Sequence, residues 1–171
     1  VPDGQADGNR RSWGAAIWRL NDTWPMIYMS VVDYYLEPKI PFYFLKRACE
    51  PVLVSFEQTP EKICVWVVND TAQPRNDTLT VQLWTLDGNM KQRSTRPVDL
   101  PATESIRAVD LTAEFYEIRK RDEFLVARIG DQVVTHLLWP EKYLKLPEGV
   151  IEARREKDAL ILSAKVFIKD V

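Results

Sequence analysis

From Pro51 onward, short runs of strand-forming residues alternate with turn residues at intervals of about 8 to 12, and this rhythm restricts the fold more than any other feature of the sequence. Val52-Leu53-Val54-Ser55-Phe56 comes first, followed by residues 62–68 after the turn Thr59-Pro60-Glu61. Gln73-Pro74-Arg75-Asn76 leads into residues 78–86. There Leu79, Val81 and Leu83 alternate with Thr80, Gln82 and Trp84, the period of two that marks a half-buried strand. Asp87-Gly88 and Gly130-Asp131 read as tight turns. Further strands are predicted at 92–98, 104–111, 123–129, 132–139, 150–155 and 159–168, with a short helical turn at 112–116. The expected fold of residues 51–171 is therefore an immunoglobulin-like antiparallel β-sandwich, and the chain as a whole is mainly β. The disulfide pair of antibody domains is absent. Cys49 and Cys64 are the two cysteines of the chain, expected as free, mostly buried thiols.

Residues 1–50 follow a different grammar. Six Trp, six Tyr and six Phe are present, and half of these aromatics fall within residues 13–44. The run Trp13-Gly14-Ala15-Ala16-Ile17-Trp18 is apolar without alternation, as in a strand covered on both faces. Asn21-Asp22-Thr23-Trp24-Pro25 is a turn-forming cluster, and Asp33 is placed to cap a helix with Pro38 near its first turn. The stretch Lys39 to Glu50 carries Ile40, Phe44, Leu45 and Ala48 at helical spacing, Lys46 and Arg47 at its favourable C-terminal end, and Pro51 as its stop. One strand, one loop and one helix make a β/α unit that cannot cover its own faces. The first twelve residues, VPDGQADGNRRS, lack the apolar stretch of a secretory signal and are expected to be a cut or processed end.

Most chemistries find no residues here. A formal charge of −2 supplies no field for nucleic acid, and Arg119-Lys120-Arg121 is flanked by Glu117, Asp122 and Glu123, so no nucleic-acid partner is expected. Apolar runs are broken by charge or proline well short of the roughly 20 residues of a spanning helix, so no membrane partner is expected. His136 is the single histidine, placed on a strand, and no nucleophile elbow surrounds Ser55, Ser105 or Ser163. No zinc-type ligand spacing and no glycine-rich phosphate loop occur, so neither metal nor cofactor is expected. Asn21-Asp22-Thr23, Asn69-Asp70-Thr71 and Asn76-Asp77-Thr78 are formal glycosylation sequons but read more simply as turns. Trp18, Asn21, Asp22 and Trp24 combine ring faces that pack on the C–H face of a sugar with groups that hydrogen-bond its hydroxyls; the alternative is that the tryptophans fill a core.

Ala16-Ile17-Trp18-Arg19-Leu20-Asn21-Asp22-Thr23-Trp24-Pro25 resembles the W-x-L-N-D-x-W-P motif of β-mannosidases and related enzymes of glycoside hydrolase family 2. Ser30-Val31-Val32-Asp33-Tyr34-Tyr35 is similar to the S-x-x-D-Y-Y segment that follows in that family, and residues 44–54 resemble its closing helix and the start of the next domain. The resemblance implies that residues 1–50 are the end of a (β/α)8 barrel (strand 8, loop, helix 8) and that 51–171 is the sandwich of a multidomain retaining exo-β-glycosidase. It implies that Trp18 stands at the C-terminal end of the last barrel strand, in the wall of the sugar subsite, and that Asn21, Asp22 and Trp24 shape the loop after it. The two catalytic glutamates of the family lie on earlier strands, so no catalytic residue is assigned in this chain. A barrel needs about 200 residues or more. With roughly 50 before the sandwich, the chain is expected to be inactive alone and to act as a structural or accessory part, its partners being the rest of the glycosidase chain and, there, a carbohydrate substrate. Residues 13–32, without barrel neighbours, are expected to expose an apolar surface and promote self-association. The second reading is a free-standing carbohydrate-binding or adhesive module with Trp66, Trp84 or Trp139 as its platform.

Overall fold

The computed structural model describes residues 15–111 and 121–169; the helical turn predicted at 112–116 and the basic pair Arg119-Lys120 lie outside them. The chain divides into two compact units, Val1–Glu50 and Pro51–Val171.

In the second unit the alternation of the sequence becomes two facing sheets. Strands β1 (Val52–Gln58), β2 (Ile63–Asn69) and β5 (Glu104–Asp110) form one, in the order β1-β2-β5. Strands β3 (Arg75–Thr85), β4 (Met90–Leu100), β6 (Glu123–Ile129) and β7 (Gln132–Leu137) form the other, in the order β4-β3-β6-β7, and every pairing is antiparallel. Between them Val54, Ile63, Val65, Val67, Leu79, Val81, Leu83, Leu125, Ala127 and Ile129 make one buried apolar cluster. Truncating one of its leucines to alanine removes about 2 to 5 kcal/mol, so this layer dominates the stability of the unit.

Polar residues close the corners. Asn69, fully buried at the end of β2, donates from Nδ2 to the carbonyls of Gln73 (3.0 Å), Leu100 (3.3 Å) and Pro101 (2.9 Å) and accepts from Thr71. That sequon is an internal knot with no room for a glycan. Glu123 at the start of β6 is equally buried and ion-paired with Lys91 of β4. Cys64 is a buried free thiol as expected, and Cys49 is a free thiol exposed to solvent.

A two-stranded hairpin, β8 (Glu152–Glu156) with β9 (Ala159–Ser163), follows. The strand predicted over 159–168 ends at Ser163 because the chain then returns to the sandwich. Phe167 donates its N–H to the Leu86 carbonyl (2.8 Å) and packs 4.6 Å from the Phe124 ring. This contact explains β6, a run buried on both faces: Leu125, Ala127 and Ile129 face the main core, while Phe124 and Val126 join Leu86 under Leu144 and Phe167.

The first unit holds a helix, α1 (Ile40–Ala48), with Pro41 in its first turn and Lys46 and Arg47 in its last. Two sequence expectations are corrected here. Residues 15–20 form no strand, and Ile17 and Trp18 are 46% and 80% exposed. A strand needs ladder partners, and these residues have none among the described ones beyond isolated bridges further on. Asp33 does not cap α1 either. Its carboxylate accepts from the N–H groups of Tyr35 (2.8 Å) and Glu37 (2.9 Å) and so builds a separate turn, and Pro38 precedes the helix.

Candidate functional site

The four residues singled out from the sequence lie on the irregular stretch that precedes α1. Trp18 and Trp24 expose 80% and 68% of their surface, and Asn21 is exposed with its side-chain amide on the Asp22 carbonyl (3.2 Å). Asp22 is the exception, only 2% exposed. The sequence reading puts Trp18 at the end of a strand and the other three in the loop after it; the structure puts all four on one irregular stretch, with the two ring faces open to solvent and the acid turned inward.

The loop is closed by backbone pairing. Asp22 N–H donates to the Val32 carbonyl (3.1 Å), Val32 N–H to Leu20 (2.9 Å), and Lys39 N–H to Val31 (3.0 Å). Isolated bridges join Asn21 to Val32 and Val32 to Pro38. Within this frame the Lys39 ammonium contacts the Asp22 carboxylate, the Ser30 hydroxyl (2.9 Å) and the Tyr28 carbonyl (3.1 Å). Lys39, with Ser30 and the Arg19 charge adding less, holds the Asp22 carboxyl below the usual carboxylate range, so Asp22 is an anion at neutral pH. The guanidinium of Arg19 lies over the Tyr28 ring at 5.1 Å.

The Asp22 carboxylate is engaged by an ammonium and turned inward, whereas the rings of Trp18 and Trp24, like that of Tyr35, face solvent. Lys39 and Ser30 were not legible as site residues. The available signal was electrostatic: a lysine immediately before the first helical residue faces the positive end of the helix dipole, an unfavourable place unless another group holds it.

The tryptophans of the sandwich are engaged otherwise. Trp66 is half-buried and donates from Nε1 to Glu57 (2.7 Å), and that bond, ahead of Lys62, lowers the Glu57 pKa. Trp84 donates to Gln82 (3.2 Å) beside the Leu86 cluster, and Trp139 packs on the main core under the Arg121 guanidinium (5.1 Å). A cleft of about 410 Å³ at the base of the β8–β9 hairpin, between residues 148–152 and 163–166, contains no aromatic side chain. Among the described residues no group of three or more His, Cys, Asp or Glu is arranged to hold a metal, and no helix is long and apolar enough to cross a membrane.

Residues 61–143 match the family profile described as a mannosidase Ig/CBM-like domain. β-Mannosidase B of Aspergillus niger is 27% identical over 180 residues, covering 89% of this chain and 21% of that protein. β-Mannosidase B of Thermothelomyces thermophilus is 25% identical over 195 residues, covering 96% of this chain and 23% of the relative. The chain thus spans about a fifth of the length of the curated relatives it matches. Among solved structures, a β-D-mannosidase from Dictyoglomus thermophilum superposes with a TM-score of 0.74 at 23% identity, over 87% of this chain and 20% of that one. An exo-chitosanase of Amycolatopsis orientalis gives 0.58 at 18% identity, over 82% and 20%.

Proposed function

We propose that this chain, whose residues 61–143 match the mannosidase Ig/CBM-like profile and which is similar to β-mannosidase B over most of its length, is the C-terminal part of a retaining exo-β-glycosidase of glycoside hydrolase family 2 acting on terminal β-linked sugars. In this reading the sandwich is a structural, accessory unit. Residues 1–50 are the end of the (β/α)8 barrel, and Trp18, Asn21 and Trp24 line the mouth of the sugar subsite with Asp22 as their internal support.

The observation that carries the proposal is continuity of the match. Similarity to β-mannosidase B runs over 89% to 96% of the chain, across Pro51, so it includes the aromatic loop and not the sandwich alone. The first unit has the same look of a removed part: α1 has no buried residue, and Ile27, Leu36 and Ile40 are 103%, 72% and 76% exposed. Such surface is normally covered. A retaining mechanism requires two carboxylates about 5 Å apart on a rigid frame. The family supplies these as glutamates from earlier barrel strands, so the 171 residues alone are the non-catalytic part.

The partners of this chain are then the remainder of the glycosidase and, through it, a carbohydrate substrate. The purified 171-residue chain is expected to give no turnover of aryl β-mannosides or β-galactosides, while the full-length protein cleaves one of them with retained configuration. Turnover by the short chain, or a full-length protein without glycosidase activity, refutes the reading. The carbohydrate-binding alternative is less favoured, because Trp66, Trp84 and Trp139 have their N–H groups or ring faces occupied by the sandwich itself.

A further inference from the structure

We infer that Lys39 is the positioning residue of the aromatic loop: its ammonium ties Asp22, and with it the stretch between Trp18 and Trp24, to the start of α1. The inference rests on the reading of that loop as substrate-facing and names a residue on which the loop's geometry depends.

Three residues of the first unit are buried among those described, namely Asp22 (2% exposed), Ser30 (1%) and Val31 (7%). Lys39 touches all three. Its Nζ meets the Asp22 carboxylate and the Ser30 hydroxyl, and its backbone N–H meets the Val31 carbonyl at 3.0 Å. The centre of this unit is therefore polar, organised around one cation, where the sandwich has an apolar layer.

An ammonium has three donors, and here each has an acceptor: Asp22, Ser30 Oγ at 2.9 Å and the Tyr28 carbonyl at 3.1 Å. These partners come from both ends of the loop, residue 22 on one side and residues 28 and 30 on the other, so a single side chain cross-links the whole turn. Lys39 itself is anchored because it is the residue that opens α1, with Pro41 just inside. The side chain bridges 17 residues of sequence to reach Asp22.

The rings that would meet a sugar have no comparable hold. Trp18 lies four residues before Asp22 and Trp24 two after it, and both are mostly exposed, so burial does not fix them. Groups that must present a ligand-binding face need support from a packed or hydrogen-bonded layer behind them, and displacement by about 1 Å is enough to cost large factors in rate. Lys39, through Asp22, is that layer. Arginine cannot replace it fully, since a planar guanidinium donates within one plane and does not reach three acceptors arranged around a point.

The test uses the full-length protein with Lys39→Met, Lys39→Arg and Ser30→Ala. Lys39→Met is expected to lower kcat/KM for an aryl β-glycoside at least about tenfold, mainly through KM, while the melting of the sandwich is unchanged. Lys39→Arg recovers part of the loss, and Ser30→Ala loses less than Lys39→Met. In the full-length protein, the indole N–H resonances of Trp18 and Trp24 are expected to shift in Lys39→Met while those of Trp66, Trp84 and Trp139 stay in place. A folded Lys39→Met protein with kcat/KM within about twofold of the parent, or with unmoved Trp18 and Trp24 resonances, overturns the inference. Should Lys39→Met not fold, Lys39→Arg and Ser30→Ala both staying within about twofold overturns it equally. Trp18→Ala separates the two ideas: if it leaves KM untouched, the loop does not face substrate, and the indole resonances alone then decide whether Lys39 positions it.

Discussion

His136 shows how a single side chain is reassigned by its neighbours. Its ring stacks 4.9 Å from Phe56 of β1, and its Nε2 lies 2.6 Å from Gln58 Oε1, whose amide in turn donates to the Leu138 carbonyl (3.2 Å). The one histidine is thus a latch between the two sheets. Burial pushes its pKa below the ordinary value, so the unfolded chain takes up a proton at a pH where the folded chain still resists it. The stability His136 contributes is complete above about pH 6.5 and is lost as the pH falls from there toward the depressed folded value. Urea denaturation at pH 7.5 and 5.5 is expected to show a larger loss for the parent chain than for His136→Phe; equal losses would mean that the latch does not act. Asn69 carries the same lesson. A turn was legible at Asn69-Asp70-Thr71, but not that its amide would be shared by carbonyls from residues 73, 100 and 101.

At the scale of elements, the β3–β4 hairpin and the returning C-terminal segment depend on each other. Gly88 closes that hairpin with a φ of +85°, which favours glycine, and a Cβ built there would lie 2.1 Å from the Lys165 carbonyl oxygen. Gly88→Ala therefore meets both backbone strain and a backbone clash. It is expected to destabilise the sandwich by more than about 1 kcal/mol and to loosen Phe167 from Phe124, visible as faster hydrogen exchange at the Phe167 amide. Unchanged exchange and stability would show that the segment does not bear on the turn. Strands β1 to β7 were legible within a few residues because each is a short run of strand-forming residues, alternating in β3 and continuously apolar in β6, bounded by its own turn residues. The end of β9 was not, since Ala164 to Ile168 is apolar enough for a strand and leaves the ladder only because Leu86 and Phe124 offer a better surface.

For the whole chain, the decisive quantity is apolar surface without cover. Trp18, Ile27, Leu36 and Ile40 are each more than 70% exposed, and this surface belongs to the first unit, not to the sandwich. Self-association of the 171-residue chain at micromolar concentration is the expected consequence, reduced by Ile27→Lys and Ile40→Lys together. Sedimentation of the unsubstituted chain as a clean monomer would contradict it. The succession of strands, the change of grammar at Pro51 and the aromatic loop are local properties, and the sequence by itself determined them, because alternation, turn residues and motif spacing act over a few neighbouring positions. Only the tertiary structure decided that residues 15–20 form no strand, that Asp22 turns inward while Trp18 and Trp24 stay in solvent, and that Lys39 pairs with Asp22. Ladder partners, ion pairs and burial are made between residues distant in sequence, and no local pattern encodes which of them will meet.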